Sequence, residues 1–276
     1  MEYLILSSLF FAINNILWKR IVADYLPLQV IVKRSMFTSL LGIIFLLLCS
    51  NSFTIYTTFS EALFVNLTGI IGALGLVFMI YALKDTTLNN FIHYSLLGSI
   101  GTASYLYFVE NITPKNYVLG TLFIVLGFCT FLWNERINTK SAQFSTHSYL
   151  TLMTLFFSVS GIMQWYNLKT YDVVFLAVHQ EIQVVIVAVL IIRYLKQPIL
   201  TFFKFDYILL MVPIVAIAII AGMWGLKTTN PFISSIVSLT APIITMILAI
   251  VALKERFKWH YVSTLFIVIL GAWLLS

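Results

Sequence analysis

Glu181 is an acid inside an apolar run that starts at Val173, with His179, Gln180 and Gln183 close by. A carboxyl in such surroundings needs a cation, a proton or a water-lined face, because an ionisable group at the centre of a bilayer costs roughly 3 kcal/mol or more. Lys33 and Arg34 stand in a second apolar run, 28 to 49. Setting Leu9-Phe10-Phe11 against Leu155-Phe156-Phe157 places Lys33, Arg34 and Ser35 opposite His179, Gln180 and Glu181. Arg34 and Glu181 are then either a structural ion pair or a pair that binds substrate, and buried membrane charges serve both purposes. His93 and Tyr94 follow Asn89 and Asn90 at four-residue spacing, which makes one polar stripe on a helix. A histidine there either couples a proton, since it titrates near neutral pH, or packs with a hydrogen bond. Glu181 and His93 are the two proton-coupling candidates. Asn14, Asn15, Ser234, Ser235 and Ser238 offer further donors and acceptors, to a substrate or to a neighbouring helix. Tyr81, Trp165 and Trp224 complete the candidate substrate-binding set with aromatic surface.

Other chemistries lack the spacing they need. His179 and Glu181 are two residues apart, so on a helix they point to different faces and do not readily hold one ion together. There is no HExxH, no CxxC and no GxxxxGK[ST], and Cys49 and Cys129 lie apart in apolar runs. The sequence therefore predicts no metal, no cofactor and no enzyme. Net charge +6 comes from basic residues scattered singly or in pairs between apolar segments, a pattern of membrane orientation and not of nucleic-acid binding.

The elements that must position these residues follow from composition. Of 276 residues, 61% are hydrophobic and 9% charged, and mean hydropathy is +1.00, too apolar for a water-facing surface. The solvent is lipid, and apolar stretches give spans of 3 to 18, 28 to 49, 60 to 82, 87 to 109, 116 to 133, 148 to 166, 173 to 194, 206 to 225, 230 to 253 and 259 to 275. They must be helices, because a lipid-exposed backbone has to satisfy its own hydrogen bonds. The fold class is all-α, an integral membrane protein of about ten transmembrane helices. The first segment is expected to be a retained helix, not a cleaved leader.

Internal similarity points to a repeat. Thr121-Leu122-Phe123-Ile124-Val125-Leu126-Gly127 resembles Thr264 to Gly271, and Tyr81-Ala82-Leu83-Lys84 resembles Trp224-Gly225-Leu226-Lys227, in the same order as the Leu9 match. The expected division is a first five-helix repeat at 1–133, a connecting loop at 134–147 and a second repeat at 148–276. An odd number of spans in each half makes the two copies inverted, an architecture of transporters. Alternate connections collect most Lys and Arg on one side and leave Lys115, Lys169 and Lys227 on the other, which puts both termini outside the cytoplasm. Trp18, Trp165, Tyr166, Tyr171 and Trp224 fall at predicted helix ends and read mostly as interfacial belts. Gly69, Gly72 and Gly75, inside one span, read as close helix packing.

At this point the chain resembles the drug/metabolite transporter superfamily, in its ten-helix EamA-like branch. The residues that carry the resemblance are Asn14-Asn15, Lys19, Pro27 and Arg34 in the first two helices. In the second half they are Leu226-Lys227-Thr228-Thr229, Pro242, Lys254-Glu255-Arg256 and Gly271. The first half is more degenerate: Leu83-Lys84-Asp85-Thr86 is present, Ser99 stands where a Pro is expected, and Glu110 alone marks the turn. The resemblance implies a two-fold pseudosymmetric bundle with a central cavity that exports or exchanges amino acids, drugs or other metabolites by alternating access. The expected function is a secondary transporter of small organic metabolites, amino acids or related amphipathic or cationic compounds leading. A lipid or lipid-linked-sugar flippase is the rival, and an intramembrane enzyme a more distant one. The expected partners are a small-molecule substrate, the bilayer and a coupling proton, with no nucleic acid, in a monomer or homodimer at the plasma (inner) membrane.

Overall fold

The computed structural model describes residues 2–49, 56–86, 88–111, 116–138, 144–198, 205–229, 231, 234, 237, 240–254 and 259–275. The helices are α1 (Glu2–Asp24), α2 (Pro27–Cys49), α3 (Phe59–Asp85), α4 (Leu88–Leu96), α5 (Gly98–Phe108), α6 (Tyr117–Asn138), α7 (Phe144–Asn167), α8 (Val173–Tyr194), α9 (Phe205–Thr228), α10 (Thr240–Leu253) and α11 (Trp259–Leu275). Among the described residues, α1, α2, α3, α6, α8 and α9 are long and apolar enough to cross a membrane. The molecule is a multi-pass, all-helical membrane protein. Apolar side chains fill the interior and also cover the outside, where Leu47, Leu48, Val118 and Phe266 are exposed, while Ser7, Asn14, Arg34, Thr68, Gln164 and Glu181 are buried. Lipid accepts the apolar exterior, and the interior holds what lipid would not.

One expected span is two helices. The run 87 to 109 breaks between α4 and α5, where Leu97 N–H bonds Tyr94 O (3.1 Å) in a tighter turn. Hydroxyls on α7 cover the break: Thr154 Oγ1 donates to Tyr94 O (2.8 Å) and Ser158 Oγ to Gly98 O (3.4 Å). Neighbouring hydroxyls of this kind make a broken helix tolerable at membrane depth. The connection expected at 134–147 is also shorter than drawn, since α6 runs on to Asn138 and α7 starts at Phe144. Asn134 to Asn138 continue the helix past the apolar stretch, and 139–143 lie outside the described residues.

Helix pairs are set by close approach. α3 lies along α7, α1 along α9, α2 crosses α8, α6 packs on α11, and α10 sits against α1 and α4. Each of the first four contacts has a glycine where an added Cβ would meet the partner: Gly72 against Ser160 Oγ (2.9 Å), Gly225 against Leu4 Cδ2, Gly42 against Val178 Cγ2 (2.6 Å) and Gly127 against Val268 Cγ2 (2.8 Å). Small residues let helices approach where lipid supplies no hydrophobic drive for them to associate. The expectation for Gly69, Gly72 and Gly75 holds: one face of α3 meets Gln183, Ser160 and Phe157. At α6–α11 the contact is reciprocal. A Cβ on Gly127 would lie 3.2 Å from Thr264 O, and one on Gly271 2.7 Å from Gly120 O and 2.8 Å from Ile124 Cγ1.

Candidate functional site

α2 and α8 bring Arg34 and Glu181 together. Asp172 starts α8 by accepting from Val174 N (2.8 Å) and Phe175 N (3.3 Å), an N-cap that fixes which face Glu181 presents. Gly42 lets α2 close on Val178, less than one turn from Glu181. Arg34 Nη1 then donates to Glu181 Oε2 at 2.8 Å, with both residues buried at 2% and 3% exposure. The Arg34 guanidinium also stands 5.7 Å from the ring of Trp18 on α1, within the range of a cation–π contact.

Four buried polar atoms on α1 and α2 have no hydrogen-bond partner among the described residues. They are Arg34 Nε, Trp18 Nε1, Ser35 Oγ and, one turn before Trp18, Asn14 Oδ1. Buried polar groups are normally paired, so donors and an acceptor left open beside a charged pair suit a polar ligand. A cavity of about 20 Å³, enough for one water, adjoins Glu181 between Thr38, Gly42, Val178 and Ile219.

A second polar group lies on α3, α7 and α8. Gln183 Nε2 donates to Asn66 Oδ1 (2.6 Å) and approaches His179 Nε2 (3.5 Å), while Asn167 Nδ2 donates to Thr68 Oγ1 (3.0 Å). Gln164 reaches Met223 Sδ on α9 (3.5 Å). Sequence reasoning passed over Asn66, Thr68, Gln164 and Asn167; their signal was amides and a hydroxyl inside apolar spans.

The remaining candidates fall elsewhere. His93 is stacked on Phe131 (centroids 4.0 Å, 6°) and bonds Thr264 Oγ1 (2.9 Å), a group on α6 and α11 separate from Glu181. Tyr94 Oη meets His147 Nδ1 (2.7 Å). Tyr81 pairs with Tyr149, and Trp224 lies at the far end of α9 beside Tyr3 and Lys227. Trp165 stacks under Lys169 (3.9 Å) beside Tyr166, whose hydroxyl donates to Glu110. Asn15 is buried on α1, and Gln180 is half-buried on α8. Ser235 and Ser238, and the side chains of Asn89 and Asn90, lie outside the described residues.

Two aromatics expected at an interface are in the interior. Trp18 is fully buried against Arg34, and Tyr171, 3% exposed, donates to Glu61 Oε2 (3.1 Å). Burial, reinforced by the Glu61 carboxylate, pushes the Tyr171 phenol above its ordinary pKa and keeps it a donor. Lys19, known from sequence only as a basic residue of the first helix, caps another helix: Nζ donates to Leu83 O (2.6 Å) and Thr86 O (2.5 Å) at the C-terminal end of α3. Arg20 Nη2 does the same for Ala252 O (2.8 Å) at the end of α10.

Comparison with known proteins agrees with this architecture. Residues 145–276 match the model of the EamA-like transporter family. No curated protein matches the chain. A solved structure titled "Crystal structure of protein" aligns over 98% of this chain and 96% of its own length, with a TM-score of 0.69 and 14% identity, a likeness of fold. The resemblance to the EamA-like branch is borne out over the second half, and the fold over nearly the whole chain.

Proposed function

We propose that this chain, whose second half matches the EamA-like transporters, is a secondary transporter of small organic metabolites, amino acids or related amphipathic and cationic compounds. It resides in the plasma (inner) membrane, and export is favoured over uptake. The observation that carries the reading is the buried Arg34–Glu181 pair with open polar atoms around it. A zwitterion presents both charges such a pair requires. Its ammonium competes with Arg34 for Glu181 and its carboxylate with Glu181 for Arg34, so binding loosens the link between α2 and α8. A proton on Glu181 would loosen the same link, which makes this residue the coupling candidate.

Two inverted five-helix halves supply the rocking motion. Exchanging the halves carries the α1–α9 contact onto α7–α3 and returns α2–α8 and α6–α11 to themselves. One constant offset relates Gly120 to Thr264, Ile124 to Val268 and Gly127 to Gly271, and the contacts between them are reciprocal. Reciprocity of this kind is what a two-fold relation produces.

The test is flux in liposomes for amino acids, amines and sugar phosphates, with and without a pH gradient. Wild type is expected to show gradient-dependent flux that Glu181→Gln abolishes. Unchanged flux in the variant overturns the role of Glu181, and lipid movement without solute flux replaces the transporter with a flippase.

A further inference from the structure

The face of the molecule that carries the C-terminal ends of α1, α3, α8 and α10 is the basic one, with Lys19, Arg20, Lys84, Arg193, Lys196 and Lys254. The opposite face has an aromatic cluster. Tyr171, just before the N-cap of α8, and Phe175 and His179 within its first two turns form a row of rings, with centroids 6.0 Å and 6.1 Å apart. The ring of Tyr56, just before α3, stands against all three, with centroids 5.8 Å from Tyr171, 5.8 Å from Phe175 and 6.2 Å from His179. The interplanar angles are 71°, 64° and 84°. A carboxylate closes the group. Glu61 Oε2 accepts from Thr57 N (3.0 Å), Thr57 Oγ1 (2.7 Å) and Tyr171 Oη (3.1 Å).

Tyr56 fits this cluster imperfectly. Its hydroxyl is buried and has no hydrogen-bond partner among the described residues, an arrangement that phenylalanine would avoid. Three rings around a ring-sized space, with an acid beside them, are the chemistry that holds an organic cation through its apolar body and its charge. The same side of α8 continues to Gln183, which donates to Asn66 of α3, while Glu181, paired with Arg34 of α2, occupies another.

We propose that Tyr171, Phe175 and His179, with Glu61 as counter-charge, form a binding subsite for an aryl- or alkylammonium ion, and that the Tyr56 ring fills it in this structure. The subsite is distinct from the Arg34–Glu181 site, and binding there does not require transport, so it stands or falls apart from the function proposed above.

The test is calorimetric titration of the full chain in lipid nanodiscs with benzyltrimethylammonium. Tyr56→Ala is expected to bind about ten-fold more tightly than wild type, and Tyr56→Phe, which keeps the ring, to show no gain. Adding Glu61→Gln or Phe175→Ala to Tyr56→Ala removes the gain, whereas adding Glu181→Gln leaves it. The proposal is overturned if Tyr56→Ala binds no more tightly than wild type, or if the gain survives Glu61→Gln and Phe175→Ala. Tyr56→Leu carries the same expectation should Tyr56→Ala not fold.

Discussion

Two of the helix contacts between the proposed halves differ in kind. At α6–α11 Gly127 and Gly271, in matching places, each meet a backbone oxygen and a β-branched side chain of the partner helix. At α2–α8 the matching places differ, Arg34 facing Gln180 and Ser35 facing Glu181 in the alignment, and Arg34 meets Glu181 at 2.8 Å in a buried site. Under the proposed repeat, both crossings began alike. On that reading the scaffold keeps its symmetry where it packs and departs from it at the proposed binding pair.

The largest effect is expected at the charged crossing. Arg34→Met leaves Glu181 buried and unpaired and lowers the unfolding free energy by about 3–5 kcal/mol, measured by denaturant titration in micelles. Arg34→Met with Glu181→Leu recovers most of it, and a double variant as unstable as the single one would break the distinction between the two crossings. Next comes the glycine crossing. Gly271→Ala sets a methyl 2.7 Å from Gly120 O and 2.9 Å from Ile124 N, backbone that cannot rotate away, and costs about 1–3 kcal/mol. Gly127→Ala meets first a side chain, Val268 Cγ2, and costs less; equal losses would mean that the contact is more symmetric than its atoms suggest. Lys19→Met removes the donor to Leu83 O and Thr86 O, an expected loss of about 1.5–3 kcal/mol for a charged donor in full burial and less here, where Lys19 is half-buried. Faster amide exchange confined to the end of α3 marks it as local. Thr154→Val, which uncovers Tyr94 O at the α4–α5 break, is the smallest, about 0.6 kcal/mol.

Much of this was legible in the sequence, and for definite reasons. The apolar runs report the solvent each segment faces, so the spans could be drawn from them, and the offset between Leu9 and Leu155 was enough to set Arg34 beside the helix of Glu181. What hydropathy does not report is the partner. The break after Leu96 depends on Thr154 and Ser158, hydroxyls sixty residues away that accept its cost. Trp18 and Tyr171 looked like interface anchors because they sit near helix ends, and they are interior because Arg34 and Glu61 are there to meet them. His93 and Glu181 share a chemistry but not a location: one is walled in by Phe131 and Thr264, the other faces α2.

α3 has a feature that neither crossing shares, for it is gripped at both ends by side chains that reach it from outside. Lys19 of α1 holds Leu83 O and Thr86 O at one end, and Tyr171 holds Glu61 at the other. Mechanically this is a beam pinned at two supports. Under the proposed rocking cycle it pivots about one support only after the other is drawn, so the order in which the pins let go sets which mouth opens first, and a substitution at the Lys19 pin biases that swing without touching either proposed site.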